Sequence, residues 1–235
     1  RDQPRSRGLG DVYKRQGLGF YEMYLNGERV GDQVLAPAVT NFDRRPLKKM
    51  LYFFDDQSNQ RVLYNTFDVT SLVQKAENTV GVLLGNGWYN QRDRTVEGCM
   101  WYDTPRLLCQ LEIEYTDGST ELVVTDDSWK TTTGPLLHDA IFTGEEYDAR
   151  LELDGWNRNG YKDSSWKKAL LVRAPKGSLH AQLAPHEKII RILQPVSCEQ
   201  KDDSTYWYAF PEMISGWAHL SLIHISEPTR PRLIS

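Results

Sequence analysis

Two adjacent carboxylates, Glu145 and Glu146, and a looser pair, Asp93 and Glu97, are the residues best suited by type to acid–base chemistry. Cleaving a glycosidic bond needs two carboxyl groups flanking it, about 5–10 Å apart. Neighbours in a strand point to opposite faces, so Glu145 and Glu146 cannot act together on one sugar. Nothing in the sequence fixes the separation of Asp93 and Glu97, and charged side chains of this kind are ordinarily solvated. Asp148 and Arg150 read as an ion pair or loop clamp. His138, His180, His186 and His219 are scattered, without the H-x-x-x-H or H-E-x-x-H spacing that sets two on one helical face. Ser, Cys and His occur without a G-x-S-x-G elbow, and Cys109 reads as a small core hydrophobe. Gly85-Asn86-Gly87 matches neither GxGxxG nor the P-loop. No catalytic residue is assigned.

Carbohydrate contact is better supplied. Sugar sites combine an aromatic ring, which covers the apolar face of a pyranose, with planar amide, carboxylate or guanidinium groups for the hydroxyls. Asn86, Trp88, Tyr89, Asn90, Gln91, Arg92 and Asp93 place those types along one predicted loop, with Trp101 and Tyr102 shortly after. The other reading of the same loop is that Trp88 plugs the end of a core beside hydrated polar residues. Trp129, Trp156 and Trp166 read as core or edge plugs next to turns. Asp55-Asp56 and Asp202-Asp203 are acidic doublets, but neither resembles an EF-hand loop.

The elements that must position these residues are almost all strands. Phe20–Leu25 alternates and runs into Asn26-Gly27, the strongest short hairpin signal, with Arg29–Leu35 returning. Val62–Val69 alternates again, and Thr79–Leu84 reads as a strand buried on both faces. Leu107–Tyr115 and Glu121–Thr125 flank a second hairpin at Asp117-Gly118, and only Val69–Lys75 looks like a helical turn. Short strands separated by Gly, Asn and Asp turns predict a sandwich rather than alternating β and α units. A boundary is predicted near Ala184–His186, where prolines gather.

The 235 residues contain 40% hydrophobic residues, which opposes disorder, and no run of eighteen apolar residues. Three cysteines without C-x-x-C spacing suggest neither a disulfide framework nor a zinc cluster.

Residues 1–16 read forward and 220–235 read backward can be encoded by reverse-complementary codons. Gln16 pairs so with Leu220, Val12 with His224 and Gly8 with Pro228. Both segments resemble translations of a transposon-end sequencing adapter, and as tails they are expected to lack packing. They carry +3 and +1 of a net charge of −4, leaving residues 17–219 at −8. An acidic chain with no basic stripe argues against nucleic acid or an anionic membrane as partner.

Several phrases together carry a family resemblance. Leu25-Asn26-Gly27-Glu28-Arg29-Val30-Gly31-Asp32 and Asp68-Val69-Thr70-Ser71-Leu72, with Glu77-Asn78, are similar to signatures of galactose-binding-like domains. Leu84-Gly85-Asn86-Gly87-Trp88-Tyr89, Thr143–Arg150, Gly155-Trp156 and Asp163–Lys167 resemble the N-terminal domain of bacterial α-L-rhamnosidases. Phe210–Leu220 resembles the opening strand of the next rhamnosidase domain.

The resemblance implies an all-β, jelly-roll β-sandwich over residues 17–184. It implies a linker and the truncated start of a second β domain over 185–219. It also implies a glycoside hydrolase parent removing terminal α-L-rhamnose from plant glycans or glycosides, with its acids in a downstream (α/α)6 barrel that this chain lacks. The present piece is then non-catalytic and inactive alone, with Asn86, Trp88, Tyr89, Asn90, Arg92 and Asp93 as its carbohydrate-contact candidates. An independent carbohydrate-binding module and a spacer without ligand are the alternatives. No cofactor is implied beyond room for a structural calcium, which such domains often hold. Family members acting on polysaccharides are often periplasmic or secreted. The stretch Arg44–Gln60 is longer than the usual connection, so no contact is assigned there.

Overall fold

Alternation of apolar and polar residues at period two dominates the chain, and the computed structural model is built of strands. It describes residues 12–44, 59–91, 102–203, 205–213, 215–219 and 232–234. The described residues fall into two units, one formed by residues up to Gly31 with Leu35–His186, the other by Asp32–Val34 with residues from Glu187 onward.

The first unit is an all-β sandwich. Its strands are β1 (Val12–Leu18), β2 (Tyr21–Leu25), β3 (Glu28–Arg29), β4 (Arg61–Asp68), β5 (Val80–Leu84) and β6 (Arg106–Glu114). β7 (Thr120–Val124), β8 (Lys130–Thr131), β9 (Leu136–Ala140), β10 (Gly144–Tyr147), β11 (Lys167–Lys168) and β12 (Ser178–Ala181) follow. One sheet runs β12-β4-β1-β6-β7 and the other β3-β2-β5, with β9-β10 and β8-β11 as separate pairs. Only the β12–β4 pairing is parallel among these. In β2, Tyr21, Met23 and Leu25 face inward while Glu22 and Tyr24 face out. Met23 and Leu25 meet Cys109 and Leu111 of β6, with Val30 and Val69, and this cluster is the core between the two sheets. Burial of each such side chain contributes roughly 1.5–3 kcal/mol. A second cluster gathers Leu18, Phe42, Val62 and Tyr89.

Asn26 ties two sequence motifs into one structural unit. Its φ of 55° and the 88° of Gly27 give the tight turn that joins β2 to β3. Its Nδ2 donates to the Leu72 carbonyl at 2.9 Å and to Asn78 Oδ1 at 2.8 Å, and its Oδ1 accepts from Thr79 N at 2.9 Å. The "LNG" hairpin and the "DVTSL…ENT" segment are thus stitched together by one amide. The 3-10 turn Thr70–Leu72 opens on Asp68, whose Oδ1 accepts from Thr70 N at 3.0 Å and from its hydroxyl at 2.7 Å. These bonds hold the Asp68 carboxyl below its ordinary pKa.

Three expectations change. The strand returning from the hairpin stops at Arg29, and Asp32–Val34 joins the second unit, where Val34 N donates to the Glu187 carbonyl at 2.8 Å. β5 is not buried on both faces, because Leu83 is open on the side away from the core. The tails are not wholly unpaired. Val12–Gln16 continue β1, paired antiparallel with β4 on one side and β6 on the other. The ladder uses main-chain groups that every non-proline residue carries, so it accepts a strand with little regard to its sequence. Residues 1–11 and 220–231 lie outside the described residues.

The second unit holds β13 (Ile192–Leu193), β14 (Ser197–Gln200), β15 (Tyr206–Ala209), β16 (Trp217–His219) and β17 (Arg232–Ile234). β17 lies between β13 and β16, and β14 pairs with β15. Lys201 Nζ sits 4.3 Å from the centre of the Trp207 ring.

Candidate functional site

The loop after β5 leaves the sheet through Gly85-Asn86-Gly87. Gly87 has a φ of 49°, and a Cβ there would lie 2.5 Å from Phe20 N, so only glycine lets the chain turn against that backbone. Asn86 is pinned by Asp139 of β9. Asp139 Oδ2 accepts from Asn86 N at 2.6 Å, and Asn86 Nδ2 donates to Asp139 Oδ1 at 2.8 Å and to its carbonyl at 2.9 Å. Asn90 Nδ2 donates to Asn86 Oδ1 at 2.7 Å. Asn86 therefore carries the loop onto β9 rather than presenting an open amide.

Tyr89 is a core ring, 2% exposed. It meets Phe42 edge to face at 5.3 Å and stacks on Tyr102 at 5.5 Å. Burial pushes its hydroxyl pKa up. Gln91 is buried and donates to the Gly87 carbonyl. Trp88 is half-buried and meets Phe142, itself 46% exposed, edge to face at 5.8 Å. Of the sugar-contact candidates, Trp88 packs partly against the second core cluster, as the plug reading has it, Asn90 is half-buried, and Tyr89 has its ring in the core. Arg92 and Asp93, together with Glu97 and Trp101, lie outside the described residues.

Asp139 and Phe142 were not legible as partners of this loop. Asn86 and Asp139 stand 53 residues apart, and a side-chain bond across that distance leaves no local periodicity.

The remaining candidates resolve simply. Glu145 and Glu146 are consecutive in β10, opposite Asp139 and His138. Asp148 and Arg150 form the clamp the spacing predicts. Arg150 Nε donates to Asp148 Oδ1 at 2.8 Å, Nη2 to Oδ2 at 2.5 Å, and Arg150 N to Oδ1 at 3.1 Å. The side-chain and backbone bonds from Arg150 hold the Asp148 carboxyl low. Cys109 is buried in the core cluster and forms no disulfide, as a core hydrophobe should. His180 shares a 2.9 Å contact with Ser178, and His186 one of 3.1 Å with Gln182. Among the described residues, no three of His, Cys, Asp and Glu group as metal ligands, and Asp55-Asp56 lies outside them.

Comparison with known proteins gives a consistent answer. A family model described as the alpha-L-rhamnosidase N-terminal domain matches residues 12–53 and 54–191. The chain is 33% identical over 211 residues to an alpha-L-rhamnosidase of Formosa agariphila, covering 88% of this chain and 20% of that protein. A solved alpha-L-rhamnosidase from Dictyoglumus thermophilum superposes with a TM-score of 0.75 at 35% identity, over 93% of this chain and 22% of that one. The Streptomyces avermitilis alpha-L-rhamnosidase complexed with L-rhamnose matches with a TM-score of 0.72 at 29% identity, over 87% and 18%. The chain spans about a fifth of the length of the curated relatives it matches.

Proposed function

Because the chain belongs to the α-L-rhamnosidase N-terminal domain family, we propose that it is the non-catalytic N-terminal piece of an enzyme hydrolysing terminal α-L-rhamnose from plant glycans or glycosides. The family match over residues 12–191 carries this reading. In the proposed parent, the acids that cleave the bond belong to a downstream (α/α)6 barrel, and this piece packs beside it. The chemistry here agrees: consecutive Glu145 and Glu146 alternate along β10, and inverting or retaining cleavage needs two carboxyls facing one bond.

An aryl α-L-rhamnoside assay tests it. The chain alone should give no turnover above buffer. Turnover that disappears in Glu145→Gln would place a catalytic group here and overturn the reading. Deleting the matching fifth of the Formosa agariphila relative should lower its melting temperature without removing the cleaving groups. Complete loss of cleavage by a still-folded remainder would count against an accessory role.

The edge-to-face contact of half-buried Trp88 with exposed Phe142 favours a second reading, in which the loop at Asn86–Asp93 contacts sugar directly.

A further inference from the structure

The outward face of β2 and β5 is not bare. It floors a groove of about 820 Å³, walled by the segment leading into β9, by β10 and by the stretch Glu152–Arg158. Only the first unit contributes to it. The open side of Leu83, which the sequence reading closes, is part of this floor.

Its aromatic surfaces are fixed in place. Trp156 lies over Gly81, where an added Cβ would fall 2.6 Å from the indole ring, and meets Tyr24 edge to face at 5.7 Å. Tyr24 donates its hydroxyl to Glu22 Oε2 at 2.8 Å, and Glu22 Oε1 is held by Arg29 Nη2 at 3.0 Å. Tyr147, 56% exposed, reaches into the groove from β10 with its hydroxyl on Glu152 Oε1 at 2.7 Å. Glu145 lines the same wall, and no hydrogen bond or ion pair joins its carboxylate within the described residues.

We propose that this groove over β2 and β5 is a binding site for a neutral saccharide, distinct from the Asn86–Asp93 loop. Rigid rings beside carboxylates suit a sugar: the rings cover C–H faces and the carboxylates accept hydroxyl protons. The volume falls within the range of about 300–1,000 Å³ typical of small-molecule sites. Charge selects among sugars. Glu22, Glu145, Glu152 and Asp154 line the groove against Lys130 and Arg158. Glu22 is paired with Arg29 at 3.0 Å and Lys130 with Asp163 at 2.7 Å, which leaves three carboxylates against Arg158. An acidic sugar would meet net repulsion, whereas a neutral one would not. The choice of a saccharide, rather than another neutral polyol, rests on the glycosidase reading above.

Calorimetric titration of the full chain tests the proposal, with a neutral rhamnosyl-glucose disaccharide and an acidic digalacturonate as probes. The neutral probe should bind, and Glu145→Ala or Tyr147→Ala should each weaken it at least fivefold with the melting temperature little changed. Digalacturonate should bind at least tenfold more weakly, and Glu145→Lys should narrow that gap. Should Tyr147→Ala unfold, the two Glu145 variants still decide. Binding kept at full strength in both Glu145→Ala and Tyr147→Ala would put the sugar elsewhere and overturn the groove. No binding of the neutral probe, or equal binding of the acidic one, would also overturn it. None of these results bears on the aryl-rhamnoside assay, so the groove and the accessory-domain reading fail separately.

Discussion

Asn26 shows how much one side chain can hold. It supplies a left-handed turn residue and three hydrogen bonds to a segment 46–53 positions away. Asn26→Gly keeps the backbone freedom and removes the bonds, which should cost about 1–3 kcal/mol. Asn26→Ala should cost about 1–2 kcal/mol more, because alanine disfavours positive φ. Urea unfolding of the three proteins measures both steps, and equal loss in the two variants would contradict the turn argument. Titration makes a second statement at this scale. Asp68, Asp117, Asp126 and Asp148 each accept bonds from the residue two positions on, and those bonds lower their pKa values. A carboxyl depressed in the folded state contributes stability that is present above its unfolded value of about 3.8 and lost as pH falls through the folded one. Tyr24 works in the opposite sense. Burial, then its bond to Glu22, pushes its pKa up to about 12. Its contribution is complete below pH 10 and disappears as pH rises towards 12. Melting temperature against pH should therefore fall at both ends, and Tyr24→Phe should flatten the alkaline end alone.

Among the elements, those with clear alternation were legible and those without it were not. β2, β4, β6 and β7 appear close to where the pattern puts them: β2, β4 and β6 each turn a face to a core, and β7 pairs along the edge of β6. β8, β11 and β13 are two residues long, too short to show a period. β5 misleads in a more informative way: its apolar run reads as closed on both faces, but one face floors the groove, with Tyr24 and Trp156 meeting above Gly81. The loop after β5 stood out by its residue types, while Asn86–Asp139 and the burial of Tyr89 depend on long-range packing. β1 runs five residues into the segment expected to lack packing. Hydrogen exchange should find slow backbone amides at Val12–Gln16, since both of their neighbours are strands of the same sheet. Exchange at the free-peptide rate there would remove them from the ladder.

At the scale of the molecule, the surface carries apolar side chains well outside either core. Leu170, Leu183, Ile190 and Met213 are each more than four-fifths exposed. The matched relatives are about five times longer. The sheet order sets a further condition on handling this protein. β1 alone joins the β12-β4 half of the large sheet to the β6-β7 half. If it were withdrawn, two strand edges would stand open side by side, with a gap the width of one backbone between them. Such a gap suits a seven-residue strand with glycine sixth and an apolar residue last, because a Cβ at Gly17 would lie 2.3 Å from the Tyr21 ring and Leu18 is buried. Two copies that each released this strand would present matching gaps to one another.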